Sequence, residues 1–219
     1  VTARTSSLLG KKAVRALGVA ESFVLDYPRS VLCGIVYRSD GVVDGVYLDF
    51  TTVGGDDATE AIARLVRASR RLDIHVVLLD GCILSWYNIV DLARLYEEVK
   101  IPVIALAFEE IEGDVESAIR RVFSPEVAEH KIDLFKRLPQ PIRLETPYGP
   151  VYARVVGLPE SPKLIRTILS RFTREGKRPE PIRIAKLVAN AVLNKVVRQL
   201  QLPQLVSQQP SLLDHQSQV

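Results

Sequence analysis

The segment His75-Val76-Val77-Leu78-Leu79-Asp80-Gly81 constrains this chain more than any other stretch of it. Val76 to Leu79 is an unbroken apolar run, the pattern of a strand covered on both faces, as in the parallel part of a sheet. It ends in a carboxylate and a glycine. Functional groups of open α/β sheets gather just beyond the carboxyl ends of such strands, so Asp80 is the first candidate for chemistry. Downstream, Ile89, Leu92, Ala93 and Tyr96 recur at helical spacing. Asn88-x-x-Asp91 reads as the start of that helix, with Asn88 as its cap and Asp91 in its first turn.

The elements on either side alternate in a regular order. Arg15 to Glu21, Val31 to Arg38 and Val42 to Phe50 are predicted strands, and Ser39-Asp40-Gly41 between the last two carries the signature of a tight hairpin turn. They make an antiparallel meander. After the loop Thr51 to Asp57, a helix to about Arg71 buries Ala58, Ala61, Ile62, Leu65 and Val66, and Asp57-x-x-Glu60 fits an acidic capping box. The strand ending at Asp80, a helix to about Glu98 and a strand from Ile101 to Ala107 follow. Right-handed crossovers then place the first, fourth and fifth strands side by side. The second half is predicted as an acidic segment from Glu109 to Glu116, a helix with Ile119 and Val122, and another from Pro125 to Arg137. A hairpin of Ile142 to Leu144 with Val151 to Val155, a helix from Ser161 to Phe172 and a last helix from Glu180 to about Leu200 complete it. This describes a lead-in at 1–13, a single domain at 14–202 and a flexible polar tail at 203–219.

Composition excludes several classes. With 219 residues, 47% apolar and 25% charged, the chain reads as a soluble globular protein. No apolar run approaches the ~18 residues of a membrane span. Lys11, Lys12 and Arg15 precede an apolar stretch broken by Glu21 and Asp26, which makes a poor signal peptide. Cys33 and Cys82, with no CxxC pair and no clustered histidines, read as reduced thiols of a cytoplasmic protein rather than zinc ligands. Gly54-Gly55 lacks the Lys-Ser/Thr of a P-loop, and no G-x-S-x-G supports a serine hydrolase. The net charge of +3 is small but unevenly spread. From Lys163 to Arg198 basic residues outnumber Glu175 and Glu180, and Arg171, Arg174, Lys177 and Arg178, with Lys186 beyond them, form a candidate phosphate-contacting patch. Trp86 and Tyr87, beside the Asp80 loop, can stack a flipped base or pack over the sheet edge.

Three stretches together resemble an archaeal family of endonuclease V-like proteins, endonuclease dU. They are Asp57-Ala58-Thr59, then Leu79-Asp80-Gly81 with Asn88-Ile89-Val90-Asp91, and Pro179-Glu180-Pro181-Ile182-Arg183-Ile184-Ala185 at the start of the last helix. The resemblance runs from about residue 14 to 195. It implies a ribonuclease H-like α/β fold: a mixed five-stranded sheet of three antiparallel strands and βαβ units, with a C-terminal hairpin and helices added. It also implies a magnesium- or manganese-dependent endonuclease acting on DNA with deaminated bases, deoxyuridine or deoxyinosine. Magnesium takes oxygen ligands and lowers the pKa of bound water. On this resemblance Asp80 is the principal ligand and Asp57 the second. Glu21 stands in for the first-strand aspartate, because Ala20 occupies that position, and Glu109 or Glu110 is an extra acid. The sequence departs from the family pattern at Ala20, at Phe108-Glu109-Glu110 where a basic residue is expected, and at Lys186 where a histidine or acid is expected. Those departures carry the alternative of a catalytically degenerate relative that binds nucleic acid or a protein.

Overall fold

The computed structural model of the chain describes Leu8, Gly10 and residues 13–109 and 114–207. Most of the lead-in, Glu110 and the last part of the tail lie outside the described residues.

Three long strands open the domain: β1 (Arg15–Ser22), β2 (Arg29–Arg38) and β3 (Val43–Thr52). They pair antiparallel in chain order, as the turn at Ser39-Asp40-Gly41 predicts. Helix α1 (Ala58–Ala68) leads to β4 (Ile74–Asp80), which lies parallel to β1, with Val19 beside Leu79. A two-residue hairpin, β5 (Ile83–Leu84) and β6 (Asn88–Ile89), separates β4 from α2 (Leu92–Val99). The next strand, β7 (Val103–Ala107), is parallel to β4. Helices α3 (Val115–Val122) and α4 (Pro125–Lys136) follow, then β8 (Ile142–Leu144), β9 (Val151–Val156), α5 (Pro162–Ser170) and α6 (Glu180–Ser207).

The adjacency of the first, fourth and fifth predicted strands is present, and the sheet is wider than five strands. Its order is β3-β2-β1-β4-β7-β9-β8, so the late hairpin is no appendage. β9 pairs antiparallel with β7 because Ala153 and Val155 supply an apolar row that continues the sheet face. The last helix continues to Ser207, past the predicted end at Leu200.

Strand alternation sorts the buried residues into two layers. Leu17, Val19, Val77, Leu79, Val103 and Ala105 face α1 to α4. Ala16, Ala20, Val76, Leu78, Ile104 and Leu106 face α5 and α6. This parity decides where every candidate side chain at the carboxyl edge points. None of the described helices is long and apolar enough to cross a membrane.

Candidate nucleic-acid site

Asp80 ends β4 with the parity of Val76 and Leu78, so its carboxylate lies on the α6 side of the sheet. It accepts a hydrogen bond from Nη1 of Arg178, and the ion pair leaves the Asp80 side chain 12% exposed. The Arg178 guanidinium lies over the Phe108 ring, 4.2 Å from its centroid. That contact fixes its planar fork at the end of β7. Lys177 donates to the Phe108 carbonyl at 3.4 Å. From the second turn of α6, Lys186 donates to the Glu21 carbonyl at 2.7 Å. In register, Ala20 is the β1 residue that comes level with Asp80, and it offers only a methyl group.

Glu21 has the opposite parity. Its side chain points to the α1 side, where it accepts from Ser30 Oγ at 2.5 Å and from the Ser85 amide. Burial pushes its carboxyl above the usual glutamate range, and the Ser30 and Ser85 donors pull the other way. Asp57 is on that side too. It accepts from the Thr52 amide at 3.0 Å, from Thr52 Oγ1 at 3.0 Å and from Asn88 Nδ2 at 2.7 Å. Burial opposes its ionisation, but these donors together hold its carboxyl below the usual aspartate range.

The predicted donor set of Asp80, Asp57 and Glu21 therefore divides across the sheet. Two of its members are consumed by hydrogen bonds on one face, and the third is held by an arginine on the other. Among the described residues no three Asp, Glu, His or Cys side chains are grouped to hold a metal ion. As these residues stand they do not fit a magnesium or manganese centre, which needs several oxygens around one point.

Capping at this edge also differs from the sequence reading. Asp57 occupies the cap position of α1 without bonding to that helix's amides, because its carboxylate is turned back to Thr52. Asn88 supplies the cap from a distance, its Oδ1 accepting from the Ala58 amide at 3.0 Å. Asp91, not Asn88, caps α2, accepting from the Arg94 amide at 3.0 Å. Asn88 is thus a buried link between α1, β3 and the β5–β6 hairpin.

The basic patch splits as well. Arg174 reaches the carbonyl of Ser39, whose own amide bonds the Val14 carbonyl at the amino end of β1, the opposite edge from Asp80. Arg171 donates to the Leu8 carbonyl at 2.7 Å. Lys177, Arg178 and Lys186 are the basic residues of the prediction that reach the carboxyl edge.

A cavity of about 850 Å³ opens on the α3–α4 side of the same edge. Gly81, Cys82 and Tyr87 form one wall, Ala105 and Ala107 its floor, and Phe135, Tyr152 and Arg154 the side toward β9. Arg121, Gln140 and Glu109 add polar groups. Gly81 turns the chain away from the sheet at φ +92°, a left-handed conformation that favours glycine. Tyr87 lines the cavity and meets Phe123 edge-on with centroids 6.2 Å apart, whereas the Trp86 ring packs at a tilt on Phe123 at 6.4 Å and is not part of the lining.

The sequence profile of the family described as Endonuclease dU matches residues 12–193. The chain belongs to the endonuclease dU family. Among similar archaeal proteins, a UPF0215 protein of Pyrobaculum calidifontis is 39% identical over 178 residues, covering 80% of this chain and 95% of the relative. The UPF0215 protein TK2033 of Thermococcus kodakarensis is 33% identical and covers 84% of this chain and 94% of its own. A solved protein of unknown function from Archaeoglobus fulgidus superposes with a TM-score of 0.66 at 28% identity, covering 82% of this chain and 98% of that one. Human ENDOV gives a TM-score of 0.59 at 17% identity, with 90% and 91% covered. Ciona intestinalis endonuclease V, solved with a 24mer DNA containing an inosine, gives 0.54 at 18% identity, with 84% and 87% covered. The fold is thus the endonuclease V-like, ribonuclease H-like one.

One residue of this endonuclease dU member escaped the sequence reading. Lys131 is fully buried, and its ammonium donates to the Gly55 carbonyl at 2.7 Å, to Asp56 Oδ1 at 2.7 Å and to the Tyr87 carbonyl at 3.1 Å. It ties α4 to the loop before α1 and to the β5–β6 loop, whose Tyr87 lines the cavity. The signal was present: Ala128, Lys131, Ile132 and Phe135 fall at i, i+3, i+4 and i+7, so the lysine lies on the apolar stripe of its own helix. A charge there must find partners inside.

Proposed function

We propose that this protein recognises DNA carrying a deaminated base, deoxyuridine or deoxyinosine, at the carboxyl edge of β1, β4 and β7. The base enters the cavity beside Gly81, and the backbone lies on Lys177, Arg178 and Lys186. The observation that carries this reading is the cavity itself: it is roomy enough for a base, it has aromatic walls in Tyr87, Phe135 and Tyr152, and it opens at the same carboxyl edge as the basic residues, across the sheet from them. Deamination replaces an exocyclic amino group, a donor, with a carbonyl, an acceptor. Arg154, Arg121 and Gln140 bring N–H donors to the lining from which a carbonyl can accept, beside the carboxylates of Glu109, Asp114 and Glu116.

Of the two chemical readings, recognition without strand scission is the one the geometry favours. Ala20 contributes no ligand, and the Asp80 carboxylate is engaged by Arg178. A resident magnesium ion would supply a polarised phosphate and a nucleophilic water, and on the α6 side it would meet Asp80, already held by Arg178, with Glu21 and Asp57 turned to the other face.

The test compares oligonucleotides with one uracil or hypoxanthine against the matched undamaged strand, in magnesium, in manganese and in EDTA. The expected result is tighter binding of the damaged strand, weakened by Tyr87→Ala or Arg154→Gln, with no nicking above the buffer control. Equal affinity for damaged and undamaged strands sinks the base-recognition reading. Magnesium-dependent nicking that disappears in Asp80→Asn sinks the non-hydrolytic one.

A further inference from the structure

The α6 side of the carboxyl edge carries two fixed cations around one acid. Arg178 is bonded to Asp80 at the end of β4, and Lys186 is bonded to the Glu21 carbonyl at the end of β1. β1 and β4 are hydrogen-bonded neighbours, so the two cations stand over adjacent strand ends. Ala20, level with Asp80, adds no charge. Lys186 bonds a backbone carbonyl rather than a carboxylate. The Glu21 carboxyl, on the other face of the sheet, feels its charge only through space, and its own hydrogen bonds come from Ser30 and Ser85. A divalent cation placed here meets two positive groups and one negative one. An anion meets the reverse.

Resting on the reading that DNA binds at this edge, we propose that Arg178 and Lys186 form a metal-independent phosphodiester site, in which Asp80 is the internal anion that a DNA phosphate displaces. The guanidinium fork matches a phosphate as well as it matches a carboxylate, so the exchange replaces one charge-assisted contact with another. Stacking on Phe108 keeps the fork in place while its partner changes. Asp80 acts here as a competitor of the phosphate, and that assigns it a sign opposite to that of a metal ligand.

Fluorescence anisotropy with a labelled uracil-containing single strand and its thymine-containing control separates the possibilities, in EDTA and in magnesium at matched ionic strength. Wild-type affinity is expected to be the same in both buffers. Asp80→Asn should bind more tightly in EDTA by about five- to tenfold, the scale of removing one unit charge a few ångströms from an anion near water. Arg178→Gln and Lys186→Gln should each bind more weakly and lower the slope of log affinity against log salt by about one. Asp80→Ser repeats the first variant should Asn fail to fold, and the wild-type comparison of buffers needs no variant at all. Binding that requires magnesium, or that weakens in both Asp80 variants, overturns the proposal. If both strands bind alike but these charge effects hold, base recognition fails and the phosphate site stands. If preference for uracil persists only with magnesium, the reverse is true.

Discussion

Gly18 carries no side chain where Pro181 crosses β1: a Cβ there would stand 2.4 Å from both the carbonyl carbon and the Cβ of Pro181. The last helix therefore begins in direct contact with the first strand. That contact sets the position of Arg178 before it and Lys186 after it, over the strand ends. Gly18→Ala must push the two backbones apart. The expected cost is about 1–3 kcal/mol, as for overpacking of a closed core, read as a lower urea midpoint with unchanged slope. An unchanged midpoint would mean that α6 does not lie so close to β1.

Lys131 is expected to be worth more to the site than to the exterior of α4. Lys131→Met keeps the length and the apolar stem but strips the Gly55 and Tyr87 carbonyls of their donor. Unsatisfied buried acceptors cost about 1–3 kcal/mol each, while Asp56, whose side chain is 46% exposed, regains water. The melting temperature should fall, and the fluorescence of Trp86, the one tryptophan of the chain, should shift as the loop beside it loosens. A variant that melts lower with an unmoved emission maximum would place the role of Lys131 in α4 alone.

Glu21 makes the chain less stable as pH rises. Burial holds its folded carboxyl above the usual glutamate range, so the folded state retains a proton that the unfolded chain has released. Stability falls with pH wherever the folded state binds more protons. This loss begins near the ordinary glutamate value and is complete above the raised one. Glu21→Gln is neutral throughout and can still accept from the Ser85 amide. Its stability relative to wild type should therefore grow across that window and level off beyond it. A constant difference between the two proteins across the window would show that Glu21 carries no raised pKa.

Much of this molecule could be read from its residues, and the parts that could not share a cause. The long strands, the Asp-Gly turn and the adjacency of β1, β4 and β7 follow from local patterns and from the handedness of crossovers. The carboxyl-edge position of Asp80 followed from the glycine after an apolar run. Pairing of β9 with β7 was not legible, because nothing in either strand names its neighbour across 45 positions or more. Nor was the division of the acids. Alternation placed Glu21 on the face opposite Ala20, but only the partners Ser85 and Arg178, both distant in sequence, decide what the acids on each face do. Asn88 illustrates the same limit: its sequence context reads as a local cap for the helix after it, and its buried position gives it to the helix before.

Asp57 works in the opposite pH window from Glu21, which makes the pair separable. Its folded carboxyl lies below the usual aspartate range because the donors from Thr52 and Asn88 outweigh burial. The unfolded chain then binds the proton first as pH falls, so Asp57 contributes stability above its ordinary value that is lost on the acid side. Asp57→Asn should remove part of that acid limb while leaving the loss above the glutamate range in place. Asn88→Ala should act on both the limb and the plateau. It withdraws one donor from Asp57 and one of two donors from the Thr52 carbonyl, which keeps the Gly55 amide, and it strands the buried Ala58 amide at about 1–3 kcal/mol. Denaturant titrations of the two variants and their combination at several pH values check this. If the two effects simply add at every pH, Asn88 and Asp57 do not form the shared link between α1 and the β5–β6 hairpin that their hydrogen bonds describe.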